Sequence, residues 1–400
     1  MVEWKKLGEI CTYYRGVTYN KKQEVSLGSG GTKILRANNI TLDSNTLNFD
    51  EIKEISSDVK IKEYQWLNPN DILICAGSGS KEHVGKVAFI CERIGYAYGG
   101  FMGKLVVSEE LQSRFLFHVI SSHLFKKYLE VALNSTTINN LNAEIVNNFL
   151  IPVPSLSEQT RIVGILDTFT ASIENLKQQI AQRRKQYNWI IDHFYYSDKY
   201  EMIKAAGEGK VQVKTMDEIG TFIRGRRFVR TDIVQEGVPC IHYGDMYTYY
   251  GVWADKTPTF LTKEKASKLR FAQKGDVIIV AAGENDIDIG VGVAWLGENE
   301  VVVHDACFIF KHEMDPKYIS YFLRSMNYHL QIRMGVVDGK ICSISAKELG
   351  RTLVPVPSLP EQQRIVSILD TFEASIANLE QQLAQRERQY EYFRNKLLTF

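Results

Sequence analysis

Residues 152–187 read PVPSLSEQTRIVGILDTFTASIENLKQQIAQRRKQY, and residues 355–390 read PVPSLPEQQRIVSILDTFEASIANLEQQLAQRERQY. Of these 36 positions, 27 are identical at a constant offset of 203. Chance does not produce such a match, so the chain is a duplication. The long period makes it a repeat of domains and not a solenoid.

Each copy reads as a long helix. Ser155 with Glu158, and Ser358 with Glu361, have the spacing of a capping box. The prolines before each serine keep the chain extended up to that point. Beyond Gly164 neither copy holds a glycine or proline except Pro360, which falls in the tolerated first turn. Apolar residues then recur every seven positions: Leu166, Ile173, Ile180, Tyr187, Phe194 and Phe169, Leu176, Arg183, Ile190 in the first copy. The second copy gives Leu369, Ile376, Leu383, Tyr390, Leu397 and Phe372, Leu379, Arg386, Phe393. This spacing predicts a coiled-coil seam with a cation at the same place in both copies. About 40 residues rising about 1.5 Å each make a rod of roughly 60 Å. Antiparallel pairing of the two rods would set the flanking domains at opposite ends, about a pseudo-two-fold axis. The alternative, in which each helix packs only on its own domain, does not account for heptads of this length.

The segments before the repeats also match, but weakly. Leu7-Gly8-Glu9-Ile10 parallels Met216-Asp217-Glu218-Ile219, Arg15-Gly16 parallels Arg224-Gly225, Asn70–Ile74 parallels Gly275–Ile279, and Gly85–Ala88 parallels Gly290–Ala294. Both diverged segments read as mixed α/β. In the first, Lys33–Arg36, Asp71–Ala76, Lys86–Cys91 and Lys104–Val107 are strand-like and Leu111–Leu133 is helix-like. In the second, Pro239–Tyr243, Asp276–Ala282, Val291–Leu296 and Val301–Lys311 are strand-like and Pro316–Arg333 is helix-like. Residues 197–213, ending in Ala-Ala-Gly-Glu-Gly-Lys and three further residues, read as a linker.

The 400 residues are enough for two or three domains, and 44% hydrophobic with 24% charged residues is ordinary for globular chains. A formal net charge of +1 is low for a protein that holds nucleic acid unaided, so partners would supply part of any basic surface. The first residues lack a signal-peptide core, and runs such as Val277–Ala282 are too short to span a bilayer. Six scattered cysteines without a Cys-x-x-Cys pair read as buried or free thiols in a reducing cytoplasm, not as a disulfide frame.

Catalytic signatures are missing from the sequence. There is no phosphate loop and no glycine-rich dinucleotide fingerprint after a strand. Asn68-Pro69-Asn70-Asp71 lacks the second proline and the aromatic of an amino-methyltransferase motif and reads as a turn before a strand. Glu51-Ile52-Lys53, with Asp43 and Asp50 upstream, is a frequent chance triplet and reads as solvated charge, not as a nuclease metal site. The eight histidines show no metal-ligand spacing, and no metal is expected in this chain.

The twice-occurring Pro-Val-Pro-Ser-Leu-x-Glu-Gln-x-x-Arg-Ile-Val-x-Ile-Leu-Asp resembles the conserved regions of Type I restriction-modification specificity subunits. As an arrangement, the resemblance covers essentially the whole chain. It implies a target-recognition domain over 1–154, a conserved helical spacer over 155–196, the linker, a second target-recognition domain over 214–357 and a second spacer over 358–400. It implies a non-catalytic subunit in which each recognition domain reads half of a bipartite, gapped double-stranded DNA target. The helices form an antiparallel coiled coil that sets the gap and docks two adenine methyltransferase subunits, and restriction/translocase subunits complete the enzyme. S-adenosylmethionine, ATP and Mg then belong to the partners, with no membrane involved and a cytoplasmic location.

Arginine forks onto guanine and asparagine onto adenine in the major groove, while other polar groups hold phosphates. Candidate DNA contacts are therefore Arg15, Thr18, Tyr19, Arg36, Asn38, Asn39, Ser78, Ser80 and Lys81 in the first domain. In the second they are Arg224, Arg226, Arg227, Arg230, His242, Tyr243, Asp245, Asn285 and Lys340. The cluster Arg224–Arg227 reads equally as a solvated hairpin tip, and Arg36 with Asn38 as turn or strand-end hydrogen bonding. Glu158, Gln159, Arg161, Glu361, Gln362 and Arg364 are candidate partner-binding residues, the alternative being a plain solvated helix face. Two rival functions are a self-contained methyltransferase-nuclease, opposed by the missing motifs, and a coiled-coil scaffold that reads no DNA.

Overall fold

The computed structural model describes the chain except Met1, residues 42–43, Ser80, residues 135–139, residues 285–287 and Asp338, together with the side chains of Lys81 and Asn134. The chain forms two compact units, Met1–Lys177 with Gln382–Phe400, and Gln178–Gln381. Two helices of 40 residues, Leu156–Tyr195 and Leu359–Leu398, contribute a segment to each unit.

In the first unit a four-stranded antiparallel sheet has the order Cys11–Arg15, Met102–Val107, Ile72–Cys75, Val87–Phe89. Ile72–Cys75 lies at its centre and is fully buried. Alternation along this strand sends Ile72 and Ile74 into a core with Phe115, Leu116 and Val119. It sends Leu73 and Cys75 into another with Leu35, Tyr98 and Met102. A strand covered on both faces needs a continuous apolar run, and ILIC supplies it. A second sheet, in the order Glu24–Val25, Lys53–Ile55, Thr32–Leu35, Ala97–Tyr98, closes the far side of that second core. Glu3–Lys6 pairs antiparallel with Leu150–Val153, which leads into the long helix.

The second unit repeats this plan. Its main sheet has the order Gly220–Arg224, Cys307–His312, Val277–Val280, Gly292–Trp295, Trp253–Ala254, and Val277–Val280 is again fully buried. Its second sheet runs Ile233–Val234, Thr259–Leu261, Val238–Ile241, Val301–Val303, Phe271–Ala272. Gln212–Thr215 pairs with Leu353–Val356 as Glu3–Lys6 does with its partner. Asn70 (φ 70°) and Gly275 (φ 98°) occupy the same left-handed turn before the central strand. The turn is closed in both units by an aspartate: Asn68 N–H donates to Asp71 and Gln273 N–H to Asp276, each at 2.7 Å. The residues 68–71 are thus a turn, as their sequence suggests. Asp71 also pairs with the buried Lys104 at 3.0 Å.

The helix-like stretches are each broken into two, Ser113–Ile120 with His123–Asn134 and Pro316–Phe322 with Met326–Ile332. Ser122 and Ser325, one repeat apart, cause the break. Each hydroxyl donates back to a carbonyl, of Val119 (2.6 Å) and Phe322 (2.8 Å), and accepts an amide of the following helix. The stretch read as a linker holds a further helix, Lys199–Gly207. Asp198 caps it through the Glu201 amide (3.0 Å), and Met202 and Ala205 are buried. Burial of those two residues outweighs the loop-like composition.

The long helices pair antiparallel within each unit. In the first, Phe169 stacks on Phe393 at 5.4 Å and Lys177 faces Glu387 at 3.6 Å. In the second, Tyr187 O–H donates to Glu373 at 2.7 Å and Arg184 pairs with Glu380. The seam cations are matched: Arg386 lies 5.7 Å from the Phe169 ring, and Arg183 lies 5.5 Å from Phe372, the same residue one repeat on. The helices also pack on their own domains. Ile162 and Leu166 enter one core, and Ile365 and Leu369 enter the other. Ser155 Oγ accepts the Glu158 amide at 3.4 Å, but the Glu158 carboxylate holds Arg161 and leaves the capping box half formed. All six cysteines are thiols outside any disulfide, five of them buried. No helix among the described residues is long and apolar enough to cross a membrane.

Candidate nucleic-acid interface

The first strand of the main sheet in the first unit ends at Arg15, and the chain then crosses the end of Ala97–Tyr98. Only glycine fits at the crossing. A Cβ on Gly16 would lie 2.2 Å from the Gly99 carbonyl oxygen and 2.4 Å from that of Tyr98. Val17 N–H donates to the Tyr98 carbonyl (2.7 Å) and Arg15 Nε to the Gly100 carbonyl (3.0 Å). From the neighbouring sheet, Arg36 follows Thr32–Leu35. Its Nη2 donates to the Glu51 carbonyl (3.2 Å), and Asn38 donates to the Glu51 carboxylate (3.1 Å).

These residues border a concavity of about 730 Å³. It brings together Arg15, Thr18, Tyr19, Arg36, Asn38 and Ser78 from three separate stretches of sequence. Buried Arg36 Nε and His83 Nδ1 have no hydrogen-bond partner among the described residues. Each such group costs about 1–3 kcal/mol, which a bound acceptor or donor would relieve. Lys21, Glu51, His83 and Phe101 also line the concavity and were missed from sequence. Phe101, 70% exposed and following two glycines, carried a readable signal: a large aromatic where the local sequence predicts a turn.

Asn39 is a correction. It is fully buried, its Oδ1 accepts the Arg36 amide (2.9 Å), and its Nδ2 donates to the Asn48 carbonyl (3.2 Å), so it shapes the turn and cannot reach a ligand. Ser80 and Asn285 lie outside the described residues, as does Asp43, and so does the side chain of Lys81. Glu51 serves Arg36 and Asn38, and Lys53 pairs with Glu24 at 2.8 Å. No cluster of His, Cys, Asp and Glu among the described residues could hold a metal ion.

The second unit reproduces the crossing. A Cβ on Gly225 would meet the His304 and Val303 carbonyl oxygens at 2.2 and 2.4 Å. Arg226 N–H donates to the Val303 carbonyl (3.1 Å), and Arg224 Nε donates to that of Asp305 (2.8 Å). Arg224, Arg226, Arg227 and Arg230 are all exposed, and Arg226 Nη1 donates to the Lys268 carbonyl (2.8 Å). His242 and Asp245 are further corrections. His242 is buried against Phe228, Tyr243 and His304, and its Nδ1 accepts the Gly244 amide (3.2 Å). Burial and the neighbouring His304 push its pKa down, so it is neutral at pH 7. Asp245 accepts from the His242 amide (3.3 Å) and from Thr259 (3.0 Å), as Asn39 does from Arg36. Tyr243 is half-buried in the same ring cluster. Lys340 is exposed.

The helix starts divide into inward and outward residues. Gln159 and Gln362 face inward, which corrects their reading as docking residues. Gln159 is fully buried, accepts the Gln112 amide (2.8 Å) and donates to the carbonyls of Glu110 (3.0 Å) and Pro154 (2.9 Å). Gln362 accepts the Asp315 amide (2.9 Å) and donates to the Pro357 carbonyl (2.9 Å). A second pin is Asp167, which takes Arg114 Nε and His118 Nε2, both at 2.8 Å; its counterpart Asp370 takes Lys317 and Tyr321 at the same distance. Burial pushes the Asp167 carboxyl up, but His118 and Arg114 together hold it below the usual range. By contrast Glu158 with Arg161, and Glu361 with Arg364, form exposed two-bond pairs of 2.6–2.8 Å. Beside them Leu156 and Leu359 are 47% and 50% exposed, and further along Trp189 and Tyr392 are 66% and 60% exposed. Both pairs are related by the repeat offset, a signal that the sequence held.

A family model described as "Type I restriction modification DNA specificity domain" matches residues 1–183 and 208–388. The specificity subunit of one Type I restriction enzyme of Escherichia coli is 31% identical over 259 residues, covering 62% of this chain and 61% of that protein. That of the enzyme EcoKI, also from Escherichia coli, is 31% identical over 186 residues, 46% of this chain and 39% of its own length. These matches thus span less than two thirds of the relatives' lengths. The crystal structure of a Type I restriction-modification system S subunit from M. genitalium aligns over 100% of this chain and 97% of its own, with a TM-score of 0.58 at 17% identity. At that identity the likeness bears on the fold.

Proposed function

The chain belongs to the family of Type I restriction-modification DNA specificity proteins, and we propose from this that it is the DNA-reading subunit of such an enzyme and performs no chemistry itself. Each unit reads one half of a bipartite duplex target. The long helices set the gap, and their repeated outward residues dock two adenine methyltransferase subunits, with restriction subunits joining the assembly. S-adenosylmethionine, ATP and Mg2+ are bound by those partners, and the enzyme works in the cytoplasm.

One observation carries the reading. The two units share a strand-end scaffold, Arg15-Gly16 and Arg224-Gly225, while the side chains around it differ. Val17 and Thr18 in one unit are replaced by Arg226 and Arg227 in the other, and Asn38 by Gly244. A shared frame with divergent polar side chains is what two readers of different base sequences require.

The test is to co-express the chain with its methyltransferase subunit in a methylation-free host and map modified adenines by single-molecule sequencing. A single gapped motif that vanishes without this chain is the expected result. Modification independent of the chain, or none from a stable and active complex, would favour the scaffold function.

A further inference from the structure

Among the polar residues at the two strand ends, Arg15 and Arg224 are equivalent in more than identity. Each ends the first strand of its main sheet, precedes a glycine on which no side chain fits, and donates Nε to a backbone carbonyl. The remaining guanidinium nitrogens of both have no acceptor among the described residues, and both side chains are exposed. A second cation recurs in register. Lys21 and Arg230 open equivalent 3₁₀ turns, Lys21–Gln23 and Arg230–Asp232. Each turn is closed the same way, by Gln23 accepting the Asn20 amide (2.9 Å) and Asp232 the Val229 amide (2.8 Å).

Resting on the DNA-reading function above, we propose that Arg15 with Lys21, and Arg224 with Arg230, form a phosphate clamp common to both units that grips duplex DNA without regard to sequence. The choice of bases falls to the positions that differ, Thr18 against Arg227 and Asn38 against Gly244. Two arguments separate the roles. A side chain identical in both units cannot encode a difference between two half-sites, whereas the phosphodiester backbone is the same at each. The orientation of the clamp arginine is set by a main-chain carbonyl, so it survives any change in the surrounding side chains. Fixed cations on a constant backbone position the protein, and variable polar groups read base edges.

The experiment uses the complex of this chain with its methyltransferase subunit. Binding is measured to the target duplex and to one with both half-sites scrambled, between about 50 and 200 mM salt, for Arg15→Ala, Arg224→Ala and Arg15→Lys. Each phosphate contact contributes about 0.9 to the salt slope, roughly a 3.5-fold change in affinity over that range. The alanine variants are expected to weaken binding to both duplexes by the same factor and to lower the slope by about 0.9 each, with the methylated motif unchanged. Arg15→Lys should keep the slope, because the charge remains.

A changed motif in one half-site on Arg15→Ala would make that arginine a base reader and overturn the clamp. Equal losses for alanine and lysine with an unaltered slope would reduce Arg15 to a pin on the Gly100 carbonyl and also overturn it. A wild-type complex that binds both duplexes equally would instead defeat the DNA-reading function and leave only a sequence-independent grip, and one that binds neither duplex would defeat both. Asn38→Ala, which alters the motif in one half only, separates that outcome from a clamp that fails alone.

Discussion

Replacing Gln159 by alanine removes three hydrogen bonds from a fully buried side chain. The Gln112 amide then loses its acceptor at the start of helix Ser113–Ile120, and the Glu110 and Pro154 carbonyls lose their donor. An unmade buried hydrogen bond costs about 1–3 kcal/mol, and water recovers part of this at the partly exposed Gln112, so the expected loss is about 3 kcal/mol. Gln362→Ala removes two bonds and should cost about 2 kcal/mol by the same reasoning. Glu158→Ala, one position away, breaks only an exposed pair with Arg161 and should leave stability unmoved. The assay is urea unfolding followed by far-ultraviolet circular dichroism. Hydrogen exchange over residues 110–120 would locate the weakened segment. The order would invert for pull-down with the methyltransferase subunit, where Glu158→Ala is the damaging change. A loss below about 1 kcal/mol for Gln159→Ala, or equal losses for Gln159→Ala and Glu158→Ala, would refute the division into inward and outward residues.

Other outcomes follow from the same structure. Gly16→Ala and Gly225→Ala each force a Cβ against two carbonyl oxygens and should abolish recognition of one half-site; a variant that binds its target normally would contradict this. Burial pushes His312 from 6.5 down to about 4. The folded state therefore binds that proton less well than the unfolded chain. Stability is full above about pH 6.5 and falls by up to about 3 kcal/mol as the pH drops toward 4. His312→Gln should flatten this part of the pH profile, read as unfolding midpoints from pH 7 to pH 4. Arg183→Leu and Arg386→Leu replace seam cations by an apolar residue and should raise the unfolding midpoint, because a polar group at a seam position costs stability. A lower midpoint would show that the contacts with Phe372 and Phe169 outweigh that cost.

The duplication, both long helices to within two residues at either end, and the α/β character of each unit were legible because they rest on local signals: identity at a fixed offset, a seven-residue apolar period, short runs between turn residues. The site was half legible. Arg15, Thr18, Tyr19, Arg36, Asn38 and Ser78 were chosen singly by residue type and are gathered at one concavity only by the sheet crossing. What stayed hidden depends on tertiary partners. Asn39 and Asn38 are adjacent and chemically the same, yet one is buried as an anchor of the turn and the other is exposed, a distinction decided by the tertiary bonds of Asn39 to Arg36 and Asn48. Gln159 lies one heptad before Leu166, in register with the apolar row, but as a polar residue beside Glu158 it reads as solvated; the helix Ser113–Ile120 packs there and covers it.

These pins explain how a nearly constant helix can carry two diverged domains. Gln159 bonds the main chain at Gln112, Glu110 and Pro154, and Gln362 bonds it at Asp315 and Pro357. A pin on backbone groups makes no demand on the side chains of the domain it holds. Asp167 and Asp370 do need side chains, and there the chemistry is kept while the residues change: Arg114 and His118 in one unit, Lys317 and Tyr321 in the other, each a pair of donors. Divergence at positions that hold the helix thus keeps the donor character that Asp167 and Asp370 need, and it is freer elsewhere. Identity at inward residues such as Gln159 and Asp167 is accounted for by packing on each domain. Identity at Leu156, Glu158 and Arg161, at the outward side of the helix start, is what the common partner proposed above would require of both copies, or what a recent duplication would leave.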